Sequence, residues 1–360
     1  MLKFHAAFFI SLLLGSAQTT LAETLGSHEE MSAEATGETS TELPPCPGYD
    51  PTDDPFSFNA RFSVGPNKGQ CIDMNFRRPT VTLSPEEIKK YLPDLKLQPS
   101  DRVVANVTDD KRNYYAIIPS DAVENIVIQK ELFDPGSAAG AMLNKATGFS
   151  AHMQSRFVLK KNKEMTLIPQ SAKERAKDPT PRKIKQFVVS AEALSRADGD
   201  SFDIVKGLKN SFGIGTRVVT LEAKKIDMID KQKHKVMQFS VKPVVNTQLN
   251  PRDTADSVRQ KYLLSALSQS AEESKQFFAN RPVMYDTLQN SCFTRGLLFY
   301  DKVNQYNSKA QAMSEALKRN PMVLRSYLFT RGMMNVNTNP STWDLDFADE
   351  LKQKESGFEF

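Results

Sequence analysis

Cysteine and histidine are scarce in this chain: its 360 residues include only three of the first and four of the second. His5 and His28 fall in the N-terminal region, which leaves His152 and His234 as usable imidazoles. Two separated histidines and one distant cysteine do not make a zinc-ligand pattern. No glycine-rich phosphate loop is present, which removes the main signature of a doubly wound nucleotide-binding fold. Beyond the N-terminus no apolar run approaches the roughly 18 residues that a membrane helix needs. Charge of one sign is also lacking: 47 Lys plus Arg against 43 Asp plus Glu leave a net +4. Without a dense basic and aromatic motif, so small a balance argues against nucleic acid as a partner.

What is present begins with an export signal. Lys3 supplies a positive start, residues 4–15 a short apolar stretch, and Thr20-Leu21-Ala22 a small-residue cleavage site. Residues 1–22 therefore read as a signal peptide and 23–45 as an acidic, disordered leader. Cys46 lies too far from the apolar stretch to serve as a lipid-attachment residue. The expected destination is the periplasm, or the medium as a secreted protein, with no integral membrane segment once the signal is gone. In an oxidising compartment Cys46 and Cys71 are plausible disulfide partners. Pairing of Cys292 with either of them stays open, and would remove its thiol.

The remaining chain is long enough to bury a sizeable core. Alternating Phe56, Phe58, Ala60, Phe62 and Val64 predict a strand, with a returning strand over 71–76. Ser84-Pro85-Glu86-Glu87 combines a capping serine, proline at the first helical position and glutamate at the third, and so predicts a short helix. Residues 102–107 and 113–118 read as strands around Asp109-Asp110, whereas 123–132 fits either helix or strand. Asn106-Val107-Thr108 matches a glycosylation acceptor. Residues 136–142 read as a connector.

Further along, residues 149–159 alternate cleanly: Ala151, Met153, Ser155 and Phe157 take one face, and His152, Gln154 and Arg156 the other. The charged stretch 173–185 reads as an exposed excursion. Residues 187–194 form the next strand, with Ser190 and Glu192 on one face. A short helix near Phe202 and strands over 217–221 and 236–245 follow. A helix opening at Asn250-Pro251 is expected to break at Ser270-Ala271-Glu272-Glu273, which resembles a second capping box. More helices are expected at Cys292 and over 308–318. Strands first and helices later favour a segregated α+β fold.

Cys292 is the candidate nucleophile. Asn290 or Ser291 can cap the helix that follows it, placing the thiol in the first turn, where free N–H groups and the helix dipole favour a thiolate. A buried, inert cysteine is the alternative. A thiolate catalyst needs a basic partner, and His152, within a core strand, suits the role better than His234 in a charged connection.

Three segments carry a family resemblance: Phe149-Ser150-Ala151-His152-Met153-Gln154-Ser155-Arg156-Phe157, residues 187–202, and Tyr285-Asp286-Thr287-Leu288-Gln289-Asn290-Ser291-Cys292-Phe293-Thr294. Together they resemble the periplasmic domain of the bacterial lipoprotein N-acyltransferase Lnb and its wider family, itself similar to permuted NlpC/P60 and papain-like cysteine enzymes. The resemblance implies an α+β fold with a papain-like, NlpC-like antiparallel sheet, segregated helices and circular permutation. It implies a catalytic-type domain over 149–330, preceded by 46–148 as accessory region or part of the same domain, and a tail over 331–360. It also implies Cys292 as nucleophile, His152 as base, Asn290 as part of an Asn-x-Cys segment and Glu192 as orienter of His152 or substrate. Tyr285 is a further candidate for a hydrogen bond in the cleft. The family commonly has Asn directly before Cys; this chain has Ser291 there. The expected activity is a cysteine hydrolase or acyltransferase on a peptide, cell-wall or lipid-linked carbonyl, with no metal or organic cofactor. The alternative is a noncatalytic envelope binding or scaffolding protein.

Overall fold

The computed structural model describes residues 43–132, 138–139, 141–142, 151–199, 202, 204–207, 210–227, 234–287, 289–304 and 324–334. The export signal, most of the leader, part of the connector, the helix expected over 308–318 and the tail from 335 lie outside them. The described residues from Pro45 onward belong to one compact unit.

Its centre is a sheet of ten strands among the described residues: β1 (Val81–Thr82), β2 (Asp101–Asp109), β3 (Arg112–Pro119), β4 (Val123–Leu132), β5 (Ala151–Leu159), β6 (Met165–Pro169), β7 (Arg182–Ile184), β8 (Gln186–Leu194), β9 (Gly213–Thr220) and β10 (Lys235–Ser240). Their order is β10-β4-β5-β8-β9-β2-β3-β6-β7, with β1 against β2. Every pairing is antiparallel except that of β2 with β9. Strands lying before and after residue 148 thus alternate within one sheet. Residues 123–132, ambiguous in sequence, become a strand because β5 and β10 pair with both edges.

The helices are α1 (Pro85–Tyr91), α2 (Ala172–Lys177), α3 (Ile204–Gly207), α4 (Leu221–Lys225), α5 (Ala255–Phe278), α6 (Cys292–Asn304) and α7 (Leu324–Thr330). The α5 and α6 helices pack on each other, α5 also meets β4 and β9, and α6 lies over β5 and β8. This is a mixed α+β fold with a largely antiparallel sheet and helices gathered apart from it. Its main core joins Ile126, Ile128, Phe157, Phe187 and Val218 of the sheet to Tyr262, Leu297, Tyr300 and Tyr327 of the helices. Each such side chain taken from water contributes about 1.5–3 kcal/mol.

Local expectations fare unevenly. The α1 helix has its full capping box: Ser84 Oγ accepts from the Glu87 amide and the Glu87 carboxylate from the Ser84 amide. Residues 56–64 do not form the expected strand. Phe56, Phe58, Ala60 and Phe62 are buried as alternation requires, but main-chain pairing shrinks to a bridge at Arg61 and Cys71, and Val64 is exposed. The Cys46–Cys71 disulfide, together with the Cys46 amide on Asn59 Oδ1, ties this ragged segment down instead. The excursion over 173–185 holds α2 and the edge strand β7. The expected break at Ser270 is absent. The α5 helix runs through it from a Thr254 cap, because the Ser270 hydroxyl donates to the carbonyls of Thr80 and Thr216 instead of capping. Asn106 sits at a bulge in β2 with φ of 62°, fully buried, its Nδ2 donating to the Phe56 and Pro79 carbonyls.

Candidate functional site

Strand register places the polar side chains of five strands on one face. Gln238, Gln129, Gln154, Ser190 and Arg217 are successive cross-strand neighbours from β10 to β9, and Glu131 and His152 form the next rung. Amide bonds run along the first rung: Gln154 Nε2 donates to Gln129 Oε1, and Gln129 Nε2 to Gln238 Oε1, each at 2.9 Å. On the second rung His152 Nε2 lies 2.7 Å from Ser190 Oγ. Glu131 Oε1 is 2.5 Å from His234 Nδ1.

Glu192 shares this face but serves other partners. One carboxylate oxygen accepts from Lys224 Nζ at 2.8 Å, and the other lies 2.8 Å from Arg217 Nε, an ion pair whose angle falls short of a hydrogen bond. Burial opposes ionisation of Glu192, but Arg217 and Lys224 outweigh it and hold the carboxyl well below its usual range. Burial likewise opposes ionisation of Glu131, and the His234 hydrogen bond with the Lys224 charge overcomes it. His152 moves the other way. Burial, then the Lys224 cation, lower it to about 4, with Glu131 and Glu192 offsetting only part, so the imidazole is neutral at pH 7.

Cys292 belongs to the opposite layer. It is the first residue of α6, and the cap is Ser291: the Thr294 amide donates to Ser291 Oγ at 3.3 Å while the Ser291 amide donates to Thr294 Oγ1 at 2.9 Å. Asn290 instead closes the preceding loop. Its Nδ2 donates to the Met284 carbonyl at 2.5 Å, and Asp286 and Asn290 exchange main-chain bonds. That closure sets Tyr285 beside Cys292 in a small cluster with Phe212, Ala191 and Ile214. The approach of α6 to β5 depends on Gly296, where an added Cβ would lie 2.6 Å from Met153 Cε.

The thiol is free and buried. Burial pushes it up to about 12, although the Met153 amide, the Tyr285 hydroxyl and the Phe293 amide beside the sulfur all favour the thiolate. Position at a helix start is therefore overridden by desolvation.

His152 and Cys292 meet one feature in common. The ladder between β5 and β8 stops at Gln154 and Ser190, although β5 begins at Ala151 and β8 continues to Leu194. Where the strands part, the sulfur of Cys292 rests against the amide of Met153, the residue after His152. The structure thus sets the two residues at one opening of the sheet but does not hydrogen-bond them to each other. Glu192 pairs with Arg217 and Lys224, and the Asn290 side chain donates to the Met284 carbonyl.

Sequence reasoning passed over Glu131, Arg217 and Lys224, which form the electrostatic surroundings of His152. A lone arginine within Gly213–Thr220 and the Lys130-Glu131 pair within Val123–Leu132 were the available signals, since charge inside an otherwise apolar strand calls for a partner. No cluster of three or more metal-ligating side chains occurs among the described residues. Comparison with family models, curated proteins and solved structures finds no match for this chain.

Proposed function

We propose that the chain is an exported cysteine hydrolase or acyltransferase, with Cys292 as nucleophile and His152 as base, acting on a peptide, cell-wall or lipid-linked carbonyl. The observation that carries the reading is the free Cys292 sulfur lying against the Met153 amide, one residue from His152, where β5 and β8 part. The Cys46–Cys71 disulfide supports it by leaving Cys292 unpaired and by fitting an oxidising destination, periplasmic or secreted. No helix among the described residues is long and apolar enough to cross a membrane. The resemblance to the Lnb periplasmic family and to permuted papain-like enzymes favours the same pair.

In this reading both partners rest neutral. As the sulfur attacks the carbonyl carbon, an S–C bond forms and the thiol proton passes to the unprotonated ring nitrogen of His152. The Met153 and Phe293 amides beside the sulfur are donors for the oxyanion. The proton then goes to the leaving group as its bond to carbon breaks. Water or an amine, deprotonated by the same imidazole, takes the acyl group; the S–C bond breaks and the imidazolium returns the proton to the sulfur, restoring both neutral groups.

The test is intact-mass detection of a thioester on Cys292 after incubation with p-nitrophenyl acetate. The adduct is expected in the wild type, absent in C292S, and slowed about 10²–10⁴-fold in H152A. An adduct forming equally fast in H152A, or none at all, would overturn the pair. A noncatalytic envelope scaffold would then lead, a reading favoured by the 2.7 Å contact that engages His152 with Ser190.

A further inference from the structure

Where the β5–β8 ladder ends, a side-chain contact takes over. Gln154 stands opposite Ser190, so His152 would stand opposite Glu192 had the ladder continued. Instead β5 stays with β4 as far as Ala151 and Leu132, and β8 stays with β9 as far as Leu194 and Gly213. Glu192 is committed elsewhere, its two carboxylate oxygens lying 2.8 Å from Lys224 Nζ and from Arg217 Nε. The imidazole reaches diagonally to the next residue on the same face, and its Nε2 lies 2.7 Å from Ser190 Oγ, with both side chains buried.

A neutral imidazole keeps one ring proton, and the partner of one nitrogen decides where it sits. A base acting on the Cys292 thiol needs its bare nitrogen turned away from Ser190. We propose that Ser190 is the positioning residue of His152: its hydroxyl accepts from Nε2–H, fixes the ring across the opening between the strands, and leaves Nδ1 as the nitrogen that takes the proton. This role rests on the Cys-His reading, and it moves the orienting part from Glu192 to a neutral hydroxyl. A carboxylate bonded to the ring would favour the imidazolium, whereas a hydroxyl does not. The charges around the ring are Glu131 of β4, Glu192 of β8, Arg217 of β9 and Lys224 of α4, and with burial they leave it unprotonated at neutral pH. His152 is thereby kept ready to accept a proton from a thiol that is itself neutral.

The first readout is the ring 15N spectrum of His152 in the mature chain near pH 7, assigned by the signals lost in H152Q. The expected tautomer has Nε2–H and a bare Nδ1; a proton on Nδ1 would make Ser190 the donor and overturn the role. The second is acylation of Cys292 by p-nitrophenyl acetate. S190A should slow it by up to about 10²-fold and let both tautomers appear. S190T keeps the hydroxyl and should keep both the rate and the single tautomer. If S190A acylates as fast as the wild type while H152A is slow, the role of Ser190 is overturned and the Cys-His pair stands. If H152A is as fast as the wild type, or neither is acylated, the pair itself is overturned and this role with it. The wild-type spectrum decides the tautomer even where a Ser190 variant does not fold.

Discussion

The two faces of strands β4, β5 and β8 are both buried, yet they are built from opposite materials. Toward the helices stand Ile128, Met153, Phe157 and Val189, closed over by Leu297 and Tyr300. Away from them stand Gln129, Glu131, His152, Gln154, Ser190 and Glu192, linked by side-chain amide bonds, by the His152–Ser190 and Glu131–His234 contacts and by the pairing of Glu192 with Arg217 and Lys224. Cys292 and His152 are both uncharged at neutral pH, but for different reasons. The thiol is neutral because its surroundings are apolar. The imidazole is neutral because burial is reinforced by a nearby cation. Strict alternation along these strands thus keeps a buried thiol and a buried imidazole in separate electrostatic environments, and the β5–β8 ladder stops at Gln154 and Ser190, beside both.

The comparison breaks most severely at Glu192. Replacing it in E192Q leaves Arg217 and Lys224, each with a side chain 6% exposed, without their shared carboxylate. The expected loss is about 3–5 kcal/mol in urea unfolding. A loss below about 1 kcal/mol would mean that water, and not the carboxylate, balances those cations.

Next in size is the pH dependence assigned to His152. The unfolded imidazole takes a proton near its ordinary 6.5, the folded one only near 4. Between those values the unfolded state binds more protons, so stability is complete above the window and falls as pH is lowered through it, by about 3 kcal/mol. H152Q should flatten that part of the stability curve. An unchanged slope would place the titration elsewhere. On the apolar face the smallest effect is expected from G296V, where the new side chain meets Met153. Overpacking there should cost about 1–3 kcal/mol and change the rate of Cys292 alkylation, while leaving the pH window of His152 in place.

Legibility in the sequence followed the range of the interactions. The face of His152, the capping box of α1 and the first-turn position of Cys292 depend on residues within a few positions, and each was readable. Ser270 shows the limit. Its local pattern is that of a cap, yet its hydroxyl serves carbonyls of Thr80 and Thr216, which no local pattern predicts. The same limit hid Ser190 as partner of His152, and Arg217 and Lys224 as partners of Glu192. Residues 56–62 are an intermediate case: alternation named the buried side chains correctly, while the absence of a partner ladder denied them a strand.

The buried bulge at Asn106 has a practical consequence for how the protein is made. Its side-chain nitrogen, the atom that a eukaryotic oligosaccharyltransferase would glycosylate in Asn106-Val107-Thr108, is committed to the Phe56 and Pro79 carbonyls. A sugar added to the nascent chain would occupy the space that those carbonyls and Gln170 need. Production through a eukaryotic secretory route therefore sets glycan attachment and folding in competition for one nitrogen atom, and N106Q would remove the acceptor only by sacrificing the bulge.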